Sequence, residues 1–497
     1  MERFAIASGD RNPLHADESF ARRTPYGRCI AQGALVTISA LGAAEADTIR
    51  FAKSLDMQFK QPIFPDETYD VRVADPDRNK TRIEVTGGGK VSVAITIATE
   101  RELSPLAAAA VQQRVALPSS PRLYALEDFP PAGLSISEPY ACDVDALRGL
   151  AEDLGATSVP DSVLVWLAAA SYTVGMVVPG HDALFAGGRI GRSSTTGPGT
   201  LVVAARALDD RTGLIMVDAT LVEEEAPAEM TLQTFLRPPV PAPTRSSVGR
   251  YISPSSDLIG RNVLVVGGSR GLGAALCGAF ATQGATVWAA YSRSEDQVEE
   301  LRREFGADEI RALRFDAEDA EEAKRAFETM RRDANALDGV VFSASPPLYE
   351  TALGPEASAG TLRYLSSSLA LVLVSLAESL EMVSRDGWIV VISSSALDDP
   401  PRAWPHHVIA KSALEGAAGY CARHHGVRVL IARPPKMLTD SMNSPMGRIG
   451  TVETEKVAAA IARWTIGRGA AGELALLDAE ELSAVEVAGG AGTRPRT

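Results

Sequence analysis

The sequence predicts a multidomain protein whose N-terminal part is α+β and whose C-terminal part is α/β with a doubly wound parallel sheet. Its 497 residues, at about 100–200 per domain, give roughly three units. In residues 1–236, helical patterns precede stretches that alternate between apolar and polar residues, which is typical of antiparallel strands beside a helix. From residue 257, continuous apolar runs alternate with helical patterns, as in a parallel sheet covered on both faces.

Residues 1–236 contain the helix-and-strand pattern twice. In residues 1–118, a helical pattern at 33–44 precedes alternating stretches at 54–60 and 81–97. In residues 119–236, a helical pattern at 162–178 lies among strand-like stretches at 134–141, 200–208, 214–223 and 230–236. We therefore predict one module used twice, in which an antiparallel sheet wraps a helix.

A linker, a third domain and a tail complete the predicted organisation. Residues 237–256 contain five prolines among serines and threonines, a composition that stiffens a chain and does not build a core. The tail, residues 485–497, is rich in glycine and alanine and is predicted to be disordered. The third domain, residues 257–484, contains strand-like runs at 263–266, 286–291, 311–315, 339–342, 388–392, 427–431 and 474–477.

Composition and charge exclude several classes of function. The formal net charge is -14, with 49 Lys and Arg against 63 Asp and Glu, so we expect no basic surface for nucleic acid. The cysteines stand singly, without the spacing of a zinc site or a disulfide framework, which predicts no metal centre and a reducing compartment. The longest apolar run, 162–179, is interrupted by polar residues, and no charged-then-apolar leader opens the sequence. We predict that this run is a buried helix, in a cytoplasmic protein that does not associate with a membrane.

A polar motif near the first residue carries a candidate acid/base pair. Asp10 and His15 flank Asn12-Pro13, and proline pushes the preceding residue out of the helical region, which predicts a turn. Such a turn can direct the carboxylate and the imidazole to one point, where they would hold a water and exchange its protons. The alternative is that Asp10 caps a helix and His15 lies on the surface.

The segment from Phe4 to Asp17, with Gly27 to Gly33 after it, resembles the MaoC-like, (R)-specific enoyl-thioester hydratases of the hot-dog fold. The resemblance implies that Asp10 and His15 handle the water. It also implies that the backbone amide of Gly33 polarises the thioester carbonyl at a helix start, where a developing enolate is stabilised.

Two features of the chain extend or depart from this resemblance. Residues 119–236 lack the Asp-x-Asn-Pro-x-His motif, so we expect them to form the non-catalytic half of a double hot-dog. Members of the family usually have a strand before the motif. Here that strand is either missing or supplied by the second half.

A glycine-rich motif in the third domain indicates a dinucleotide site of the Rossmann type. Its glycines follow the apolar strand 263–266 and open the helical pattern 274–282. They permit a tight turn and let a pyrophosphate approach the helix N-terminus. The alternative is a tight turn without a ligand. The predicted cofactor-binding residues of the turn are Gly267, Ser269, Arg270, Gly271, Leu272 and Gly273.

The end of the next strand distinguishes between cofactors. Where an acidic residue would bind the ribose 2′-hydroxyl of NAD, the sequence has Arg293, which with help from Arg270 suits a 2′-phosphate. We therefore predict NADP(H). Asp316, after the third strand, either contacts the adenine or is a solvated turn carboxylate.

Residues 257–478 resemble the short-chain dehydrogenase/reductase family. The resemblance implies that Ser394 hydrogen-bonds the substrate oxygen and that Lys411 binds the ribose and lowers the pKa of the proton donor. It also implies that Thr439 contacts the nicotinamide amide. Ser343 lies in the segment that replaces the family's fourth-strand signature and is a further predicted cofactor contact.

The proton-donating side of this second site departs from the family. His407 stands four residues before Lys411, where the family has its catalytic tyrosine, and Ser368 stands where it has a relay asparagine. A histidine with an unperturbed pKa of about 6.5 can donate a proton, although Lys411 nearby would lower that pKa. The remaining histidines of this domain are expected on the surface: His406, His424 and His425. His406 is also an alternative to His407 as the proton donor.

The two motifs together predict a bifunctional enzyme that acts on acyl thioesters, as in fatty-acid or polyketide assembly. The first part would interconvert (3R)-hydroxyacyl and trans-2-enoyl thioesters, and the second would reduce a 3-oxoacyl group with NADPH. One alternative is a dehydratase fused to a silent reductase-like domain that serves as a scaffold or an NADP(H)-binding module. Another is a reductase whose hydratase site is silent.

The expected partner is an acyl thioester carried by an acyl-carrier protein or by coenzyme A. Three arginines lie near the first motif in the sequence: Arg22, Arg23 and Arg28. They would form a basic patch for a carrier protein, bind the phosphates of coenzyme A, or simply be solvated. A homo-oligomer is expected by analogy with both folds.

Overall fold

The chain folds into two compact units. In this computed structural model the described residues are 1–77, 79–106, 115–124, 129, 133–209 and 213–487. Unit 1 consists of Met1–Pro239 with Ser444–Met446, and unit 2 consists of Val240–Asn443 and the chain from Gly447 onward.

A single antiparallel sheet forms the framework of unit 1. Its strands are β1 Ala52–Phe59, β2 Asp70–Asp77, β3 Lys80–Gly87, β4 Lys90–Thr99, β5 Ser135–Pro139, β6 Ala183–Arg192, β7 Thr200–Asp209, β8 Leu214–Val222 and β9 Ala228–Leu236. Their order is β2-β3-β4-β1-β6-β9-β8-β7-β5. Leu55 of β1 lies opposite both Ile97 of β4 and Ile190 of β6. The strands on either side of the β1–β6 pair therefore belong to one continuous sheet.

The longest helix of unit 1 is completely buried. Every residue of α6 is buried, and α6 packs against α3, so the prediction of a buried apolar helix is confirmed. The apolar run does not continue as one α-helix, because Thr173–Val177 forms a wider π-helical turn. The helices of the described part of unit 1 are α1 Glu2–Ser8, α2 Glu18–Ala21, α3 Gly33–Leu41, α4 Ala46–Arg50, α5 Val144–Asp153 and α6 Asp161–Tyr172.

Two strands of unit 1 are not predicted by the alternating pattern. β6 contains Gly187, Gly188 and Gly191, which are typical of turns. A Cβ on Gly187 would lie 2.2 Å from the backbone oxygen of Met57, so glycine lets the strands approach here. β2 is an edge strand that contains a proline, and proline is tolerated at an edge because no ladder hydrogen bond is lost there.

Unit 2 is a parallel sheet with helices on both faces, which confirms the predicted fold class of the C-terminal part. The strands are β10 Asn262–Val266, β11 Thr286–Tyr291, β12 Ile310–Arg314, β13 Leu337–Phe342, β14 Val383–Ile392, β15 Arg428–Ala432 and β16 Leu474–Leu477. Their order in the sheet is β12-β11-β10-β13-β14-β15-β16. Successive strands are added on one side from β10 to β12 and on the other side from β13 to β16, so the order changes direction between β10 and β13. In open α/β sheets, ligands bind at the carboxyl ends of the strands beside such a reversal.

The helices of unit 2 cover the sheet with two separate apolar clusters. One contains residues of α8 and α13, and the other contains residues of α10, α11 and α12. The helix bounds are α7 Arg245–Gly249, α8 Gly271–Thr282, α9 Glu295–Phe305, α10 Ala320–Asp333, α11 Ser358–Leu380, α12 Pro405–His425, α13 Thr454–Ile466 and α14 Ala479–Ser483.

By length and composition alone, α11 could cross a membrane, although only 33% of its most apolar window is buried. Core helices of soluble proteins pass the same test. In unit 2, Val372 and Leu376 of α11 belong to the apolar cluster under the sheet.

The predicted linker is partly incorporated into unit 2, which corrects the boundary. Thr244 and Ser247 form a reciprocal capping box that starts α7. After it, Val248, Tyr251 and Ile252 are buried in the core of unit 2. Four of the five prolines precede this helix and Pro254 follows it, so proline content alone does not locate the boundary.

The predicted tail also begins later than the composition indicates. Val485 is 8% exposed and belongs to the core of unit 2. Residues 488–497, the remainder of the predicted tail, lie outside the described residues.

Candidate active sites

Asp10 is a buried carboxylate held by two hydrogen bonds. It lies between α1 and a short 3₁₀ turn, Pro13–His15, and is 2% exposed. Its Oδ2 accepts a hydrogen bond from Ser171 Oγ at 2.6 Å, and its Oδ1 accepts one from the backbone N–H of Asn12 at 3.1 Å. Burial raises the pKa of Asp10, although the neighbouring His15 and the hydrogen bonds oppose this shift. Asp10 is therefore suited to holding a proton.

The hydrogen bonding of His15 defines its tautomer. Its Nδ1 lies 2.8 Å from the backbone oxygen of Ile30, and because a carbonyl oxygen only accepts, Nδ1 carries the hydrogen. The Nε2 lone pair is left to accept a proton. His15 also acts electrostatically on Asp10, so the structure brings the two predicted residues together.

The Asp10 motif is held by a segment far away in the sequence. The side-chain amide of Asn12 donates to the backbone oxygens of Gly175, Gly180 and His181 at 3.2, 2.8 and 3.2 Å. Ser171 at the end of α6 binds Asp10 directly. The sequence did not single out Ser171, because a serine inside an apolar helical pattern carries no signal of its own.

The π-helical turn brings the backbone against Asp10. A Cβ on Gly175 would lie 2.2 Å from Asp10 Oδ1, so any side chain would displace the carboxylate. We therefore expect Gly175→Ala to lower the hydration rate by about 10²-fold, as small misplacements of reacting groups do. Steady-state hydration of an enoyl thioester measures the effect. Gly149→Ala is the matched control, because a Cβ there meets its nearest atom, in Arg3, at 4.0 Å; an equal loss in the control would contradict the explanation.

Gly33 is the first residue of α3, with Gln32 as its N-cap. A Cβ on Gly33 would lie 2.7 Å from the ring of Phe59, so only glycine fits beneath this ring. The first amides of a helix have no partner within the helix, which suits the predicted role of the Gly33 N–H. Gln32 is 1% exposed, and among the described residues neither atom of its amide has a partner. The sequence did not identify Gln32 as a candidate site residue.

Arg28, one of the three arginines of the predicted basic patch, is paired with acidic side chains. Its guanidinium pairs with Asp66 at 2.9 Å and also with Glu67. It lies 3.9 Å from the centroid of the Phe64 ring. Arg28 is therefore occupied by its own protein, and a carrier phosphate would have to displace two carboxylates.

The glycine turn of unit 2 has the close backbone contacts that a dinucleotide cradle needs. A Cβ on Gly273 would lie 2.0 Å from the backbone oxygen of Gly267, and one on Gly267 would lie 2.7 Å from the backbone nitrogen of Ala344. Gly271 has φ +52° and lies against Thr439, with 3.2 Å from its ideal Cβ to Thr439 Cγ2. The turn and the Thr439 loop therefore meet at the N-terminus of α8, where the residues present fit a pyrophosphate.

The remaining predicted cofactor residues differ in their surroundings. Arg293 is exposed just after β11, whereas Arg270 pairs with Asp440 at 3.2 Å. Asp316 Oδ1 accepts a hydrogen bond from the backbone N–H of Glu318 at 3.0 Å, so it stabilises its own turn.

Three other predicted cofactor residues lie within or beside the glycine turn. Leu272 is 5% exposed in the core, and Ser269 is half-buried. Ser343 donates its backbone N–H to the backbone oxygen of Val266.

Lys411 is a buried cation at the carboxyl end of β14. It is 6% exposed, and its Nζ donates to the backbone oxygen of Ile392 at 2.8 Å. Burial lowers the pKa of Lys411 to about 8, against the opposing charge of Glu415. Ser394 follows the same strand, and its Oγ accepts the backbone N–H of Ala396 at 3.2 Å. The predicted substrate-side residues therefore gather at the strand ends.

Glu415, one helical turn after Lys411, joins the helix to the loop after β15. It accepts hydrogen bonds from Ser393 Oγ at 2.5 Å and from Arg433 Nε at 2.8 Å. Burial opposes its ionisation, but the bonds from Arg433 and Ser393 prevail and lower the pKa of Glu415. The i, i+4 spacing from Lys411 was the only signal in the sequence, and it is common in helices.

His407, the predicted proton donor, is neutral. Burial lowers the pKa of His407 to about 3, with help from Lys411 and His406. An imidazolium at this position is therefore absent near neutral pH, and His407 can act only as a neutral imidazole.

The prediction that His406 lies on the surface is wrong. His406 is 0% exposed and stacks on Tyr349, with 4.5 Å between ring centroids. Among the described residues neither of its ring nitrogens has a hydrogen-bond partner. Pro405 starts α12, and this first turn faces α11 rather than solvent.

Comparisons with known proteins match each part of the chain to a protein family. A family model described as MaoC like domain matches residues 1–95, and one described as short chain dehydrogenase matches residues 261–446. The cyclic-di-GMP-binding biofilm dispersal mediator protein of Escherichia coli is 32% identical over 194 residues, which are 38% of this chain and 78% of that protein. The 3-hydroxybutyryl-CoA dehydratase of Methylorubrum extorquens is 36% identical over 90 residues, which are 17% of this chain and 57% of that protein.

Solved structures also match a part of the chain. A short-chain dehydrogenase/reductase from Serratia marcescens is 25% identical, with a TM-score of 0.40, and the match covers 46% of this chain and 100% of that one. The crystal structure of BdcA in complex with NADPH is 26% identical, with a TM-score of 0.39, and the match covers 45% of this chain and 94% of that one.

The fold, the sites and the family matches define a MaoC-like dehydratase domain followed by a dehydrogenase domain that implies a nicotinamide cofactor. The C-terminal part of the chain belongs to the short-chain dehydrogenase family.

Proposed function

We propose that the chain is a bifunctional enzyme on acyl thioesters, a (3R)-hydroxyacyl dehydratase (enoyl hydratase) joined to an NADPH-dependent 3-oxoacyl reductase. The observation that carries the proposal is that each unit holds the groups for one of two consecutive reactions. In unit 1 these are the acid/base pair Asp10 and His15 beside the helix start at Gly33. In unit 2 they are Ser394 and Lys411 at the end of β14, together with the glycine turn.

The first reaction follows from the protonation of the two groups. His15 Nε2 can take the proton from the carbon next to the thioester carbonyl, while Asp10, whose pKa is raised by burial, gives its proton to the departing hydroxyl. The Gly33 amide at the start of α3 stabilises the negative charge that develops on the thioester oxygen. Hydration runs through the same steps in reverse.

The second reaction needs a hydride, which a nicotinamide cofactor in the glycine turn would supply. The Ser394 hydroxyl can donate a hydrogen bond to the ketone oxygen, and the buried cation of Lys411 stabilises negative charge as it develops there. The exposed Arg293 after β11 supports NADPH rather than NADH, because a guanidinium binds a 2′-phosphate through paired hydrogen bonds.

Cofactor preference gives a direct test of Arg293. We expect Arg293→Glu to lower kcat/KM for NADPH by about ten- to hundredfold, the value of one or two hydrogen bonds to a charged group, and to leave NADH less affected. Initial rates with each cofactor measure the ratio. Arg303→Glu makes the same charge change at an exposed position in α9. If both variants shift the ratio equally, Arg293 does not bind the 2′-phosphate.

A second candidate function is a dehydratase fused to a silent reductase-like module that binds NADP(H) or acts as a scaffold. The observation in its favour is His407, a neutral imidazole at the position of the family's proton donor.

One experiment distinguishes the two candidate functions. The protein is incubated with a 3-oxoacyl thioester and NADPH, the nicotinamide absorbance is monitored, and the products are identified by mass. The enoyl product supports the bifunctional enzyme. Unchanged NADPH beside normal hydration of a supplied enoyl thioester supports the silent module.

A further inference from the structure

Tyr364 is a buried tyrosine that contacts the substituted position. It lies on α11, one helical turn before Ser368, and is 4% exposed. Its Oη is 3.0 Å from His407 Nδ1 on α12. The rings of Tyr364 and His406 meet edge to face with 4.3 Å between centroids. A tyrosine from another helix therefore reaches the residue that replaces the family's tyrosine.

The direction of the Tyr364–His407 hydrogen bond follows from the chemistry of the two groups. Burial raises the pKa of Tyr364 to about 12 and lowers that of His407 to about 3, so the phenol keeps its proton and the imidazole is neutral. A phenol O–H is a stronger acid than the N–H of a neutral imidazole, and an imidazole nitrogen is a stronger base than a phenol oxygen, so Tyr364 is the donor. Nδ1 of the neutral imidazole then accepts, and the ring hydrogen is on Nε2.

We propose that Tyr364 is a positioning residue of the reductase: it fixes His407 in the tautomer with hydrogen on Nε2 and replaces the proton that His407 gives to the substrate. This inference rests on the proposed reduction of a 3-oxoacyl group. In this proposal, two residues on two helices together donate the proton that one tyrosine donates in the family.

The proton transfers balance as follows. As the hydride adds to the ketone carbon, the C=O π electrons move to oxygen, which takes the proton from His407 Nε2. His407 takes the proton of Tyr364 at Nδ1, so the imidazole stays neutral throughout. Tyr364 is left as a phenolate, a weaker base than the alkoxide, and regains a proton from solvent. Other charged or titratable groups that act on this pair are Lys411, His406 and Tyr349.

The test compares Tyr364→Phe with the unmodified chain in the complete enzyme. The ring and its packing on His406 are kept, and only the hydroxyl is lost. We expect kcat for reduction by NADPH to fall by about 10²-fold, the size of a typical proton-transfer contribution, with KM for NADPH and hydration of an enoyl thioester unchanged. Tyr420→Phe, a 60% exposed tyrosine on α12 that contacts His424, is the matched control.

A second readout does not need activity. ¹⁵N NMR of the imidazole nitrogens, with His407 assigned from the spectrum of His407→Gln, reports which nitrogen carries hydrogen. We expect hydrogen on Nε2 and a hydrogen-bonded, unprotonated Nδ1 in the unmodified protein, and loss of the Nδ1 hydrogen-bond shift in Tyr364→Phe.

The outcomes separate this inference from the proposed function. An unchanged kcat in Tyr364→Phe, or hydrogen on Nδ1 of His407 in the unmodified protein, overturns the role of Tyr364 while the reductase stands. Failure of the unmodified enzyme to reduce any 3-oxoacyl thioester overturns the reductase and the proton transfer with it. In that case the NMR result alone decides whether Tyr364 positions His407.

Discussion

Asp10→Asn should reduce hydration of an enoyl thioester by about 10²- to 10⁴-fold, the contribution of a positioned acid or base, and leave NADPH oxidation unchanged. Asparagine keeps the shape of the side chain and can still accept the hydrogen bond from Ser171, but it cannot hold or release a proton in the relevant range. Hydration rates at saturating substrate, with NADPH oxidation measured on the same preparation, test the expectation.

A matched control for this prediction is Asp153→Asn. Asp153 is 61% exposed and pairs with Arg3 at the surface of unit 1. Exposed pairs of this kind contribute about 1 kcal/mol or less to stability, so the control should keep its activity. A hydration rate in Asp10→Asn within about threefold of the control would contradict an acid/base role for Asp10 and favour a silent first site.

The sequence predicted those parts of each site that lie within one short segment. Asp10 and His15 are five residues apart, and the glycine turn follows directly on β10. Their chemistry depends on local turns, which residue type and spacing determine. The carboxyl end of β14 was also predictable, since consecutive strands of a parallel sheet end on one edge.

The sequence did not predict the groups that hold these residues from elsewhere in the fold. Ser171 is 161 positions from Asp10, and Tyr364 is 43 positions from His407. Neither stands in a motif, and only the packing of the elements brings them to their partners. His406 shows the same limitation: nothing in the sequence marks it as buried, so a surface position was predicted, whereas α11 and Tyr349 cover it.

Lys411→Met should lower the rate of NADPH-dependent reduction by about 10²- to 10³-fold, comparable to the loss of one group that stabilises a developing oxyanion. Methionine is apolar and of similar length, so it can occupy the buried position without an unpaired charge. The cation that is proposed to stabilise the substrate oxygen is lost, and with it the bond from Nζ to the backbone oxygen of Ile392. Hydration by unit 1 should be unchanged.

The pH profile provides a sharper form of this test. The folded pKa of Lys411 is lowered to about 8 by burial, so the ammonium is present below that pH and is lost above it. His407 stays neutral and Glu415 ionised across this range. Reduction by the unmodified enzyme should therefore fall about tenfold per unit above pH 8, and this decline should be absent in Lys411→Met. Lys324→Met, an exposed lysine on α10, should keep both the rate and the decline. A decline that persists in Lys411→Met would assign it to another group and leave Lys411 a purely structural cation.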